Sequence, residues 1–451
     1  MAEWLSREEA RRLADRVLAL STADGCQVNI GSGAEGNTRY AVGGISTAGD
    51  ATNATVTVSS RFGKRTASAT TNLFDDEGLA RAVATSERLA RLAPENPEVM
   101  PLLGPQEYPD VPAFAPATAR LDAAARADAV RGALDVVGRA GLVAAGFVER
   151  AAGADAVANS AGLFAYHAST AAAHTVTVRT PDGRGSGWAG TAHRDWGRMT
   201  AARALAERAA RKARDSREPV TLEPGRYTVV LEPTAAGNLL RLLGFALNAR
   251  AADEGRSFFS RRGGGTKIGE KVVDERVTIV TDPADPDLLL TPYTGEGQPI
   301  GRTVWIENGV VRNLAYDRFW ADKQGVKPVP FAPGFKLMGG DATAEQLIAQ
   351  VERGVLVTRF WYIRGVDPRT VLYTGLTRDG VFLIENGKVT RAVRNFRFNE
   401  SPVAMLNNLV ALGRPERISA SESGSAEGGG AVVVPPIVCR DFTFSSISEA
   451  V

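Results

Sequence analysis

Three histidines, two cysteines and one short acidic run are the obvious metal-binding candidates in this chain. Metal centres need deprotonated nitrogen, sulfur or oxygen donors converging on a point, and zinc peptidases draw two histidines from one helical turn. His167, His174 and His193 fall in a strand-rich stretch at no recognised ligand spacing, so they read as core or surface histidines. Cys26 and Cys439 are far apart and give neither a disulfide framework nor a cysteine zinc motif; both read as packed thiols in strands. Asp282, Asp285 and Asp287 are interleaved with prolines, without the glycine and glutamate of a calcium loop, and read as turn residues. No Ser/His/Asp or Cys/His arrangement is identifiable.

Two glycine-rich stretches invite a phosphate reading. Gly185-Ser-Gly187-Trp-Ala-Gly190 has the dinucleotide spacing, but that loop needs a strand before it and a helix N-terminus after it, and both neighbours here read as strands. A glycine-rich hairpin is the better expectation. Arg261-Arg262-Gly263-Gly264-Gly265-Thr266-Lys267 lacks the Walker spacing and is expected to be a flexible basic loop that touches a partner or substrate.

The elements around these residues follow from pattern. Ser6 to Glu9 forms a capping box that opens a helix. Gln27–Ile30 and Thr38–Ala41 read as short strands, Thr55–Ser59 and Thr66–Thr70 as a hairpin, and Leu79–Leu92 as a second helix. Seven of the 23 prolines fall in Pro94–Pro116, an extended connector with Leu102, Leu103, Tyr108 and Phe114 able to pack. Helix is expected over Leu121–Val137 and Thr200–Ser216, with strands at Leu142–Glu149 and Ala154–Asn159 and a hairpin of His174–Arg179 with Gly187–Thr191. Beyond Pro219 the chain is mostly strand: Tyr227–Leu231, Val272–Val280, Arg302–Glu307, Val310–Tyr316, Val355–Tyr362, Phe382–Glu385, Val389–Phe398 and a last strand over Val432–Val438 and Phe442–Phe444. Ala236–Ala252 is helical, with Leu239, Leu240, Leu243 and Leu247 on one face. Asn308-Gly309 and Asn386-Gly387 repeat one wording, which suggests two type I′ hairpins in one antiparallel sheet. Ser419–Gly430 is polar and glycine-rich and reads as a loop. The fold class is therefore α+β. N-terminal α/β units (1–93 and, after a 94–117 connector, 118–218) precede a large antiparallel β-rich, barrel-like domain (219–451).

With 451 residues, 44% hydrophobic and 23% charged, the chain has the composition of a globular protein of two or three domains. A net charge of +2 gives no electrostatic case for nucleic acid or anionic membrane. The start has no basic n-region or apolar h-region, and no run approaches the ~20 apolar residues of a membrane span. A cytoplasmic location is expected.

Arg226-Tyr-Thr-Val-Val-Leu-Glu-Pro233, Arg256-Ser-Phe-Phe-Ser260, Glu352-Arg-Gly-Val-Leu-Val-Thr-Arg-Phe-Trp361, Gly365-Val-Asp-Pro368 and Ile384–Asn395 together resemble the TldD/PmbA (TldE) family, as does Asn159-Ser-Ala-Gly162. In that family one subunit is a metallopeptidase whose helix carries His-Glu-x-x-x-His, and its sister has lost the metal site. Here that helix contains no histidine or glutamate between Gly237 and Arg250. Arg241, Leu242, Phe245 and Ala246 stand at the degenerate site, and arginine, permanently cationic, cannot serve as an ordinary ligand. The sister's further cysteine ligand lies in a glycine-rich loop, and 419–430 holds no cysteine. The resemblance thus implies the TldE/PmbA-like sister: no cofactor in this chain, zinc on a TldD-like partner in a heterodimer, and unfolded or small modified peptides as substrate. Asn248, Arg250, Asp253, Glu254, Arg261 and Arg262 are candidates for substrate or partner contact, against a plain reading as a solvated face. Two alternatives stay open: an independent peptide-modifying or amide-bond enzyme reusing the pocket around Arg241, and a homodimeric peptide-binding module.

Overall fold

The computed structural model describes residues 4–332, 334–419 and 431–449; the 420–430 part of the expected glycine-rich loop lies outside them. The fold is α+β, as expected. Segments 1–93 and 118–218 contribute to a single six-stranded antiparallel sheet, in the order Arg65–Thr71, Gly44–Phe62, Gly25–Ala41, Val143–Asn159, Phe164–Arg179, Ser186–His193. The expected short strands at 27–30 and 38–41 are one strand of 17 residues, and those at 142–149 and 154–159 are another. The glycines between them allow close pairing. Gly33 lies opposite Gly153, and a Cβ on Gly153 would sit 2.5 Å from the Ser32 carbonyl oxygen.

Side chains alternate across a sheet, so one parity shares a face. Cys26, Val28, Ile30, Ala156 and Ala158 meet the helices Arg7–Leu20 and Asp76–Leu92. Ala144, Val148, Val176 and Val178 meet Ala123–Arg139 and Ala202–Asp215 on that face. The Ser6–Glu9 capping box opens the first helix. The opposite face meets the connector and the C-terminal half. Val157 and Ala165 pack with Tyr293, Leu103 and Tyr108. Gln27 and Asn29 donate to the Gly295 carbonyl at 3.0 and 2.8 Å.

The C-terminal half holds two further sheets. The smaller runs Val310–Val311, Thr303–Glu307, Ile279–Thr281, Phe335–Leu337, Val432–Val434, Glu416–Ile418. The larger runs Phe360–Asp367, Leu372–Thr377, Phe396–Glu400, Ile437–Ile447, Gly225–Leu231, Arg353–Val357, Val381–Glu385, Lys388–Ala392, with Leu409–Leu412 beside Ile437–Ile447. Its strand order leaves two edges, so the domain is β-rich without closing into a barrel. Helix Pro233–Ala246 lies between these sheets: Leu239, Leu240 and Leu243 share a core with Val229 and Leu231 of one sheet and Ile279, Trp305, Leu337 and Val432 of the other. No helix among the described residues is long and apolar enough to cross a membrane.

Several expected elements change here. Both Asn-Gly turns are type I′ in character, with positive φ at Asn308, Gly309, Asn386 and Gly387, but they belong to different sheets. The strand expected over 389–398 breaks at Val393–Asn395, and its halves join opposite parts of the large sheet. The break is held by Val220, which bonds Ala392 and Arg394, and by Thr377, which donates to Asn395 and accepts from Phe396. Val355–Tyr362 likewise splits at Thr358-Arg359 into two strands. Of Val272–Val280 only Ile279 and Val280 are strand, because Val272 and Val277 bond the Gly309 backbone instead. Of Val310–Tyr316 only two residues are strand. Ala315 there bonds Leu247 and Ala249 and so ends the helix expected over 236–252, which stops at Ala246 and resumes as Ala249–Asp253.

Candidate functional site

The helix Pro233–Ala246 starts after Glu232, whose carboxylate takes the Lys212 ammonium at 2.6 Å, and has Pro233 in its first turn. Its leucine face fills the core. Its other face, with Phe331, Ala332 and Phe335, forms a narrow cleft with an interior volume of about 20 Å³. Arg241 and Phe245 line it with Leu240, Leu243, Trp305 and Phe335. Leu242 and Ala246, on the same helix, are half-buried outside that lining. At the mouth Phe245 stacks on Phe331 at 5.9 Å between ring centroids, and the two are 59% and 42% exposed.

The polar atoms of the wall are already occupied. Thr281 Oγ1 donates to the Gly334 carbonyl at 2.6 Å and accepts from Trp305 Nε1 at 2.8 Å. Burial pushes the Arg241 guanidinium below arginine's usual pKa, yet a guanidinium keeps its charge in proteins. The cleft is therefore hydrocarbon with one cation in its wall, narrow, and unsuited to acid–base chemistry.

The residues after the helix are tied up elsewhere. Asn248 caps the short helix Ala249–Asp253 through the Ala251 amide. Arg250 grips both Glu98 oxygens at 3.0 and 2.9 Å, bonds Glu254 at 3.1 Å and lies over the Trp320 ring. Asp253 accepts from Trp320 Nε1 at 2.7 Å. This group joins the connector to the C-terminal half. Arg261 pairs with Glu270 at 2.7 Å, while Arg262 is exposed in a loop whose three glycines all have positive φ. The structure thus brings Arg241 and Phe245 together and sets the other candidates apart from them.

A zinc does not fit these residues. Among the described residues no group of three or more His, Cys, Asp or Glu side chains converges. His174 Nε2 meets the Tyr40 hydroxyl at 3.0 Å, and burial holds its pKa at about 4. His193 Nδ1 accepts from the Asp195 amide at 2.9 Å, and burial lowers it to about 4 as well. His167 is buried opposite Asp155 in the first sheet. Cys439 faces Val229 in the large sheet, its thiol pushed up by burial. Asp285 and Asp287 hold Lys336 at 3.2 and 3.0 Å. Gly187, in the glycine run, is where helix Ala202–Asp215 presses on the sheet: a Cβ there would lie 2.2 Å from the Ala209 carbonyl oxygen.

One polar centre escaped the sequence reading. Arg359 Nε lies 3.1 Å from Asp379 Oδ2, an ion pair not aligned as a hydrogen bond, with both side chains nearly fully buried. The guanidinium sits between Trp188 and Trp361 at 5.0 and 5.1 Å. Ser186 of the first sheet donates to Asp379 Oδ1. This centre joins the first sheet to the C-terminal half.

Comparison with known proteins supplies the rest. Family models match in two places: the PmbA/TldA metallopeptidase central domain over residues 110–217 and the C-terminal domain over 224–446. A curated metalloprotease of Methanothermobacter thermautotrophicus is 26% identical over 220 residues, 45% of this chain and 46% of that protein. The chain thus matches about half the length of that relative. TldE from Thermococcus kodakarensis superposes with a TM-score of 0.81 at 19% identity, over 97% of this chain and 99% of that one. A Thermotoga maritima protein called a candidate modulator of a DNA gyrase gives 0.83 at 18%, over 97% and 100%. At such identities these two likenesses establish the fold.

Proposed function

Because the chain belongs to the PmbA/TldA metallopeptidase family, we propose that it is the non-catalytic, TldE-like subunit of a two-subunit peptidase. One observation carries this reading. The helix that would present a metal offers Arg241 and a wall of leucine and phenylalanine, and neither kind of side chain is an ordinary zinc ligand. Amide hydrolysis is then the task of a TldD-like partner holding zinc. This chain shapes the chamber, and an apolar side chain of an unfolded or small modified peptide packs against the mouth of the cleft beside Arg241. Phe245 and Phe331, exposed at its mouth, are the first surface such a peptide meets. The buried, unpaired thiols of Cys26 and Cys439 agree with work in the reducing cytoplasm.

Co-expression with a TldD-like protein tests the proposal. The expected result is a stable one-to-one complex on size exclusion that cleaves an unfolded peptide, is inhibited by chelators, and is inactive when either chain is missing. Cleavage by this chain alone, or one tightly bound zinc per purified chain, would overturn it.

A further inference from the structure

The long strand Gly44–Phe62 is covered along only part of its outer side. Arg65–Thr71 pairs with Val56–Phe62, and among the described residues no strand pairs with that side of the 44–55 stretch. Every residue from Ile45 to Asn53 is exposed. Unpaired backbone N–H and C=O groups on a strand edge recruit further strands, and folds guard such edges with lysine, proline or other charges. The large sheet does so at its Lys388–Ala392 edge, which carries Lys388 and Arg391. The 44–55 stretch holds no lysine or proline, and its one charged residue, Asp50, is taken by Arg126 at 2.9 Å.

The residues of this edge are complementary to themselves. Read outward from Ala51, the segment Thr47-Ala-Gly-Asp-Ala51-Thr-Asn-Ala-Thr55 sets Asp50 against Thr52, Gly49 against Asn53, Ala48 against Ala54 and Thr47 against Thr55. Antiparallel pairing with a copy of itself puts those residues opposite one another: small groups meet small groups, and no two like charges are directly opposed. Each Asp50 carboxylate faces a threonine hydroxyl, which can donate to it. Side chains this small form no pockets with which to select a foreign peptide, so they favour a second copy as the occupant.

We propose that this edge is an interface between two copies of this chain, which pair antiparallel along residues 47–55 about a twofold axis through Ala51 and so continue the first sheet from one copy into the other. The ends of the segment fit this register. From Val56 onward the outer side is filled, since Thr71 pairs with Val56, so the incoming strand must leave the sheet there. The residue it brings to Val56 is Ser46, the extra residue of a β-bulge opposite the step from Arg39 to Tyr40. A bulge bends its strand, which lets the hairpin tip turn aside at that point. Val42 and Ile45 at the tip are 84% and 47% exposed, and Leu73, just past Thr71, is 49% exposed. The pairing brings the tip of one copy to the Leu73 of the other, covering apolar surface that the single chain leaves in water. Pairing of this kind is isologous and closes at two copies. The interface shares no residue with the cleft beside Arg241 and does not depend on the subunit reading above.

Sedimentation equilibrium of the full-length chain tests it, with a dimer expected at about 10–100 μM. Amide exchange at residues 47–55 should slow roughly tenfold or more between dilute and concentrated protein, as the outward amides gain partners. Ala51→Cys should give a disulfide-linked dimer on mild oxidation, because the two Cβ atoms at the axis lie about 4.5–5.5 Å apart. Ala48→Cys should not, since its two copies lie about 20 Å apart along the paired strands. Cys26 and Cys439 are buried and do not compete. A monomer throughout that concentration range, a dimer whose exchange at 47–55 is unchanged, or equal cross-linking by the two variants would each overturn the proposal. Sedimentation and exchange use unaltered protein, so they decide the matter even if a variant fails to fold.

Discussion

Arg359, in the break between two strands, and Arg61, on a strand of the first sheet, both lie where that sheet meets the C-terminal half, and the fold treats them in opposite ways. Arg359 is nearly sealed from water, paired with Asp379 and clamped between two indole rings. Arg61 is half-buried in an open polar cleft and has no ion pair among the described residues. A cation whose charge is matched inside the protein is part of the scaffold. One left without an ion pair adds little to it. Arg241 is a third treatment: a charge kept at the rim of hydrocarbon.

Removing the matched partner should produce the largest effect. Asp379→Ala removes the buried carboxylate paired with Arg359 and frees Ser186, so urea denaturation should show a loss of about 3–5 kcal/mol. A loss below about 1 kcal/mol would erase the distinction between the two arginines.

Acid supplies the next largest effect, through a buried group that carries no charge at all. His174 is held at about 4, below its ordinary 6.5, by burial beside Tyr40. The unfolded chain therefore takes up a proton that the folded chain refuses. Its contribution is complete above about pH 6.5, falls as pH drops towards about 4, and amounts to about 3 kcal/mol across that window. Denaturation midpoints flat from pH 7 to 4.5 would contradict this.

Arg359→Lys should cost less, about 1–2 kcal/mol, since the charge stays near Asp379 while the flat stacking on Trp188 and Trp361 is lost. Arg61→Gln should be smallest, within about 0.5 kcal/mol of the parent or slightly stabilising, because it removes a charge that has no ion pair. A marked loss of stability would return Arg61 to the scaffold and sink the contrast.

Features set by neighbours in sequence were legible. The Ser6–Glu9 capping box needs only four residues, and the two Asn-Gly turns need only a pair with positive φ. The helix carrying Arg241 was legible from its leucine spacing, though not its end, which is fixed by Ala315 far along the chain. Strand lengths were misread in both directions for one reason. Gly33 looks like a loop until Gly153 is opposite it, and Val393 looks like strand until Val220 and Thr377 take over the neighbouring bonds. The candidate cleft was half legible: Arg241 and Phe245 come from one helix, while Trp305, Phe331 and Phe335 arrive from elsewhere. Arg250 was singled out, but its partner Glu98 lies 152 residues away and no local pattern joins them.

The shared first sheet bears on how the chain is made. Gly25–Ala41 pairs on one side with Gly44–Phe62, available at once, and on the other with Val143–Asn159. At ribosomal speeds the second neighbour emerges on the order of ten seconds later. Until then a strand of 17 residues presents an open hydrogen-bonding edge, the kind that recruits other chains. A nascent chain halted within the connector is therefore the species most exposed to aggregation, and the one with most to gain from a chaperone.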